Sequence, residues 1–361
     1  MTDRRSGARA SGTASGKAGG TAGGKAADPA AVPGRPPGSA TPPPRPSPRR
    51  TGLVPTDVAD ALSAVLTKAT TAIRDNEPGS RHGSAIEHVH QMRVATRRIR
   101  AYLKAARPAL DSEAADSLRA HLAGLARALG EVRDLDVMID RMHSEATALG
   151  EPDTAALERL TGQLDRERKR ARRALIAELD KPDFTTMLAE LDRAAADPPV
   201  ADPWADLTQL AMLEWDRLAR GRAKLGAKYG DSPPDDDLHA LRILGKRARY
   251  SAELLTGNSN GEATTSGRAR TRAAAVKRFL VALADLQETL GNHQDASVLE
   301  DRLREMVGAE SADRRAATAE VASALAAGRV IEGCRQRCAQ ARAAYPAAWA
   351  AVARSAAKAF G

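Results

Sequence analysis

Two stretches of this chain set a histidine and a run of cations at the same spacing. The first, "VHQMRVATRRIRAYLKA", begins at Val89, and the second, "LHALRILGKRARYSAEL", begins at Leu238. With His90 aligned on His239, Arg93 falls on Arg242, Arg97 on Lys246, Arg98 on Arg247 and Arg100 on Arg249. On a helix, positions i, i+3, i+7 and i+10 lie within about 80° of one another. His90, Arg93, Arg97 and Arg100 therefore line one face, and His239, Arg242, Lys246 and Arg249 line another. Lys104 extends the first row by a turn, whereas Glu253 ends the second with the opposite charge. Arg98 and Arg247 project from the flank, toward an adjacent subsite or toward acids of neighbouring helices. The opposite side is apolar: Met92, Ala95, Ile99, Tyr102 and Leu103 in one copy, Leu241, Leu244 and Ala248 in the other.

Such rows are built to hold anions. Guanidinium offers a fixed fork of donors to paired oxygens, and charge assistance strengthens each contact. A basic row can also be a plain solvated face. Surface helices, however, usually intersperse acids, because stacked like charges cost a few tenths of a kcal/mol each. Between Gln91 and Arg107 there are six cations and no acid. The histidines can bond phosphate while neutral and gain charge below about pH 6.5; the alternative role for His90 and His239 is to orient helices. Further cations follow each row. Arg166, Lys169, Arg170 and Arg173 form a stripe in "DRERKRARR", and Arg268 and Arg272 share a face in "RARTRAAAVKR". These are supporting candidates, with solvent-facing stabilisation the rival reading.

A second pair of matching segments accompanies the rows. "LARALGEVRDLDVMIDRM" aligns with "LQETLGNHQDASVLEDRL", pairing Gly130 with Gly291, Asp134 with Asp295, Val137 with Val298 and Arg141 with Arg302. Glycine after an apolar helical stretch predicts a helix terminus or tight junction there. Asp134 and Asp295 are expected to be structural, capping a helix or orienting an arginine of the rows. Asp134 and Asp136 make a poor metal pair, since Ser297 replaces Asp136 in the second copy and no ligand spacing is recognisable. No cofactor is expected. Cys334 and Cys338, four apart in a predicted helix, exclude a disulfide scaffold and a four-thiolate site.

The elements that must carry these rows are helices. Ala, Leu, Arg and Glu dominate after Pro55, and alternating β-branched patterns are nearly absent. Helices are predicted at about 57–77, 84–107, 112–129, 132–147, 153–179, 183–195, 204–227 and 236–255, with another from 268 and two more across 293–361. Pro/Asp/Gly-rich stretches such as "AAADPPVADPW", "YGDSPPDDD" and "TGNSNGEATTSG" separate them. The expected class is all-α.

Charge is distributed unevenly. The 361 residues carry 55 Lys+Arg against 46 Asp+Glu, a formal +9. Residues 1–50 hold nine basic side chains against Asp3 and Asp28, so +7 resides there and +2 over the remaining 311 residues. With nine Gly and nine Pro in its first 50 residues and almost no large apolar side chain, the segment 1–52 is read as a disordered basic arm, either solubilising or adding weak polyanion contacts. No apolar run approaches about 18 residues, so no membrane span is expected. The lack of an apolar signal core argues for a cytoplasmic protein. Aromatic content of 3 % leaves few stacking platforms for single-stranded nucleic acid. No pattern sets an oligomeric state.

At "VHQMRVATRRIRAYL", "LGEVRDLDVMIDRM", "LHALRILGKRARYSAELL" and the weaker "LQETLGNHQDASVLEDRL", the sequence resembles the CHAD family, the conserved histidine α-helical domain, from roughly residue 55 to 355. The resemblance implies two pseudo-symmetric antiparallel helical bundles, residues 53–200 and 201–361, forming one unit that binds inorganic polyphosphate in a basic central groove, some members residing on polyphosphate granules. It places His90, Arg93, Arg97, Arg98 and Arg100 in a first half-site and His239, Arg242, Lys246, Arg247 and Arg249 in a second. The second copy departs from the first, with His293 and Gln294 where Val132 and Arg133 stand, so the N-terminal half is expected to be the more basic.

Two rival functions follow from the same residues. A metal-dependent polyphosphate- or triphosphate-processing enzyme would need bound metal or a positioned nucleophile. No P-loop, H-E-x-x-H or alternating Glu-x-Glu-x-Lys signature is present. A nonspecific nucleic-acid binder would use the same cations on a phosphate backbone, yet no base-reading motif accompanies them.

Overall fold

The computed structural model of the chain describes residues 58–83, 85–256, 267–310 and 317–361. The arm read at residues 1–52 lies outside these. Nine α-helices make up the described residues: α1 (Val58–His82), α2 (Ile86–Ala105), α3 (Ser112–Leu149), α4 (Asp153–Leu179), α5 (Pro182–Ala196), α6 (Leu207–Tyr229), α7 (Asp235–Leu254), α8 (Gly267–Glu310) and α9 (Ala317–Phe360). One isolated antiparallel bridge, between Leu110 and Val200, is the sole β-type pairing among them. The class is all-α.

Local signals set the helix ends. The Asp111 carboxylate accepts from the backbone N–H groups of Glu113 and Ala114 at 2.9 and 3.1 Å, capping α3. Asp206 does the same for α6 through Thr208 N–H at 2.7 Å. Gly150 and Gly230 follow α3 and α6 with φ of 72° and 63°, a left-handed turn that side chains with a Cβ resist. The loop between α5 and α6 is pinned to the turn after α2: Asp111 N–H donates to Pro199 O at 2.9 Å, and Ala201 N–H to Ala109 O at 2.9 Å.

The helix predicted at 112–129 and the one predicted at 132–147 are one continuous helix, α3. Gly130 is therefore no terminus, and Gly291 likewise sits inside α8. Glycine costs a helix only about 1 kcal/mol, which the flanking apolar face of α3, with Leu122, Leu125, Leu129, Val132 and Ile139 buried, readily overcomes. An arginine of another helix lies against each of these glycines, as described below.

Apolar side chains gather in three clusters. One joins α1, α2, the first half of α3, the end of α4, α5 and the start of α6, and also takes Tyr250 and Leu254 from α7. Another joins α6, α7, the first half of α8 and the end of α9; there Phe279 meets Trp215 and Phe360 edge-on, with ring centroids 5.6 and 5.1 Å apart. These two helical groupings meet at α2 and α7, which pack against each other. The third cluster draws on the far ends of α3, α4, α8 and α9, so both halves of the chain share it.

Candidate anion-binding site

α2 and α7 are the two helices that carry the histidine-led rows, and they face one another. Each is held by its apolar back. Val89, Met92, Ala95, Ile99, Tyr102 and Leu103 of α2 are buried, as are Leu238, Leu241, Ala248 and Leu254 of α7. Burial of one stripe leaves the opposite stripe, the cations, at the surface between the helices. A hydrogen bond spans the pair: Tyr102 Oη donates to Glu253 Oε2 at 2.7 Å. The Tyr102 and Tyr250 rings pack edge-on at 5.8 Å beneath it.

The rows converge at four side chains. The Lys246 ammonium lies in the field of Arg242 on its own helix and of Arg97 and Arg93 on α2. Burial first, and then these three guanidiniums, push its pKa down to about 8, with Asp295 of α8 opposing. Arg242 is also held below the usual arginine value, by burial first and by Arg97 and Arg93, against the carboxylate of Asp295. Its Nε is buried without a hydrogen-bond partner. Four cations brought this close with few counter-charges make a site that gains from an incoming anion.

Carboxylates of α3 and α8 hold the arginines in place. Arg93 Nη1 donates to the Gly130 carbonyl at 2.7 Å and pairs with Asp134 Oδ1 at 3.0 Å. Asp295 sits correspondingly beside Arg242. Its surface is exposed, yet desolvation by the surrounding protein raises its pKa, opposed by Arg242. The aligned glycines are each met by an arginine of a neighbouring helix. A Cβ at Gly130 would stand 3.4 Å from Arg93 Nη1, and one at Gly291 3.5 Å from Arg242 Nη2. Each arginine lies across its glycine, and a longer side chain there would displace it.

The remaining row residues divide. Arg100 and Lys104 carry the α2 face onward, and both have lowered pKa values, from burial first and then from neighbouring cations: Arg119 for Arg100, Arg247 and Arg119 for Lys104. Arg97, Lys104, Lys246 and Arg247, with the carboxylate of Glu214 and the apolar Ile243 and Tyr250, line a cleft of about 160 Å³. Arg247 is tied to Glu214 of α6 at 2.9 Å, and Arg249 to Glu253 at 2.9 Å. Their charge is thus partly neutralised inside the protein. Arg98 stands at the flank beside Tyr102. The second row is therefore narrower than its spacing predicts, centred on Arg242 and Lys246.

The histidines also differ. His239 Nδ1 is hydrogen-bonded to Gln294 Oε1 at 2.7 Å, a helix-to-helix link between α7 and α8. His90 Nδ1 is buried without a partner. Burial first, and Arg133, Arg97 and Arg93, lower the His90 pKa, so its charge arrives only in more acid solution than the ordinary value suggests. His293, at Val132's place in the repeat, is buried, its Nε2 3.3 Å from Asp235.

Arg166, Lys169, Arg170 and Arg173 are exposed on α4, whose main packing partners are α3 and α9 rather than the row helices. They form a separate stripe. Arg272 is half-buried in the first turns of α8, and the side chain of Arg268 lies outside the described ones. Sequence reasoning left out three arginines of α3: Arg119, Arg133 and Arg141 act on Arg100, His90 and Asp295. The repeated polar segment that contains Arg133 and Arg141 was the available signal. Asp134 and Asp136 point different ways, Asp136 being buried against Arg168 of α4 at 3.5 Å. Among the described residues no group of three or more His, Cys, Asp or Glu is arranged to hold a metal. No described helix is long and apolar enough to cross a membrane.

Comparison with known proteins agrees with this architecture. PptA from Streptomyces chartreusis superposes with a TM-score of 0.62 at 22 % identity, covering 81 % of this chain and 99 % of that one, a likeness of fold. The crystal structure of the CHAD domain from the plant Ricinus communis gives 0.58 at 25 % identity, covering 81 % and 91 %. Two uncharacterized proteins of Mycobacterium tuberculosis, MT2285 of strain CDC 1551 / Oshkosh and Rv2226 of strain ATCC 25618 / H37Rv, are 31 % identical over 227 residues, 61 % of this chain. The match covers 40 % of the length of each. A family model described as CHAD domain matches residues 64–304, and the chain belongs to the CHAD family.

Proposed function

We propose that this protein binds inorganic polyphosphate, without turning it over, along the cationic faces of α2 and α7. The observation that carries this reading is the meeting of Arg93, Arg97, Arg242 and Lys246 between two helices, crowded enough to depress the Lys246 pKa to about 8. Polyphosphate presents closely spaced oxyanions on a flexible chain, and forked guanidinium donors from two facing helices match such a ligand. Arg100 and Lys104 continue the track on the N-terminal side, which makes that half the stronger contributor. Family membership supports the ligand class. The site residues are binders and their orienting carboxylates, which is why the proposal is binding rather than catalysis. Attachment to polyphosphate granules and a pseudo-symmetric pair of half-sites, in residues 53–200 and 201–361, belong to the same reading.

The test is a binding titration with long-chain polyphosphate over a salt series, on wild type and on R97A and K246A. Affinity is expected to fall with salt and with each substitution, while helical circular dichroism stays unchanged. Unchanged affinity in both variants would sink the site. Competition by duplex DNA and RNA at equal phosphate concentration decides against the nucleic-acid alternative if polyphosphate wins by tenfold or more. Release of phosphate in the presence of Mg²⁺ or Mn²⁺ would overturn the non-enzymatic reading.

A further inference from the structure

Within the central group of Arg93, Arg97, Arg242 and Lys246, three members are guanidiniums, which stay protonated and are not nucleophiles. Lys246 is the one primary amine. It lines the 160 Å³ cleft with Arg97, Lys104, Arg247, Ile243 and Tyr250. That cleft is below the roughly 300–1,000 Å³ of sites for drug-sized ligands, and so suits a group the size of one phosphate carrying a short acyl chain. Arg97, Lys104 and Arg247 line it with cations, the Glu214 carboxylate that pairs with Arg247 at 2.9 Å is its acid, and Ala101, Ala105, Ile243 and Tyr250 give it an apolar wall beside the amine.

We propose that Lys246 is a self-acylation site for small acyl phosphates, and that acylation weakens polymer binding by removing a cation from the centre of the groove. The inference rests on the anion-binding reading of this site, because the same arginines would seat the phosphate of the reagent. The Lys246 Nζ attacks the acyl carbon as its free base; the N–C bond forms and the C–O bond to phosphate breaks. Inorganic phosphate leaves with the electron pair, into the field of Arg97 and Arg242, and the amine proton goes to water. The product is a neutral amide, which no longer offers an ammonium to the polymer.

The charges around Lys246 favour the reactive form. Arg242 on α7 and Arg93 and Arg97 on α2 disfavour the ammonium, with Asp295 of α8 opposing. At pH 8 about half of such an amine is neutral, against roughly 0.4 % for lysine at its ordinary value near 10.4. A lower pKa also means a weaker nucleophile; with the sensitivity known for thiols the advantage shrinks to about tenfold.

The experiment incubates the full chain with acetyl phosphate at pH 8 and follows acetylation of each lysine by peptide mass spectrometry, with polyphosphate affinity measured on the same preparation. Lys246 is expected to react at least tenfold faster than the exposed Lys68, Lys224 and Lys358. Excess inorganic phosphate should slow Lys246 and leave the others unchanged, and the acetylated protein should bind polyphosphate at least fivefold more weakly. A neutral acetylating ester should show a smaller preference for Lys246 than acetyl phosphate does. Tight polyphosphate binding with uniform labelling overturns this inference alone. Selective, phosphate-suppressed labelling without polyphosphate binding supports the acyl phosphate site and overturns the polymer reading instead. Equal preference with both reagents, or no effect of inorganic phosphate, refutes docking of the phosphate group.

Discussion

Polyphosphate affinity should depend on pH through Lys246. In the free protein its pKa is about 8, because burial and the facing Arg242, Arg97 and Arg93 disfavour the charged form while Asp295 partly restores it. A bound polyanion reverses that field and favours the ammonium. Binding therefore takes up a proton above pH 8, and affinity falls as pH rises. If the ligand only restores lysine's ordinary value near 10.4, the linkage relation gives a loss of roughly 20-fold between pH 7.5 and 9.5. The arginines stay charged through this window, and the carboxylates stay ionised. The assay is a titration with long-chain polyphosphate at constant ionic strength and half-unit pH steps. K246R keeps its charge throughout, so its affinity should stay within about twofold over the same range. A flat profile in wild type, or an undiminished slope in K246R, would refute the placement of Lys246 at the centre of the anion site.

Other expectations follow from the same geometry. In the folded chain the Lys246 pKa lies below that of the unfolded chain, so stability should rise as pH climbs from 8 to about 10.4 and K246M should flatten that rise. At pH 7, K246M should increase Tm by roughly 2 °C, the shift from about 1 kcal/mol after discounting for solvent screening; a lower Tm contradicts the crowding argument. Y102F removes the 2.7 Å bond to Glu253 between α2 and α7 and should cost about 1.5 kcal/mol in urea denaturation; a loss under about 0.5 kcal/mol says the link is idle. At Gly291, alanine should be tolerated, since its Cβ would meet Arg242 at ordinary contact distance. G291L should push Arg242 aside and lower polyphosphate affinity about tenfold with helicity intact, and equal affinity in the two variants would discount the glycine–arginine packing.

What the sequence determined by itself was the helical class, most of the helices before residue 256 and the chemistry of two of them, whereas it split α3 in two and drew three helices where α8 and α9 stand. Helical periodicity located α4 at 153–179 and α2 and α7 nearly to their ends, because a buried stripe recurs every three to four residues whatever it packs against. The same periodicity put His90, Arg93, Arg97 and Arg100 on one face, and their counterparts on the other, since that follows from helix geometry alone. It misread Gly130, where local chemistry suggests an end and tertiary packing continues the helix. The Gly130 carbonyl accepts from Arg93 of another helix, a contact 37 residues away that no local rule registers. Only the tertiary structure decided which cations remain available. Arg247 and Arg249 match Arg98 and Arg100 in sequence, yet Glu214 and Glu253 engage them, while Arg242 and Lys246 face Arg93 and Arg97 across the α2–α7 interface. The physical reason is that a charge's availability depends on what is within a few ångströms of it. Spacing along one helix fixes direction, and the packing of α6, α7 and α8 fixes the neighbours.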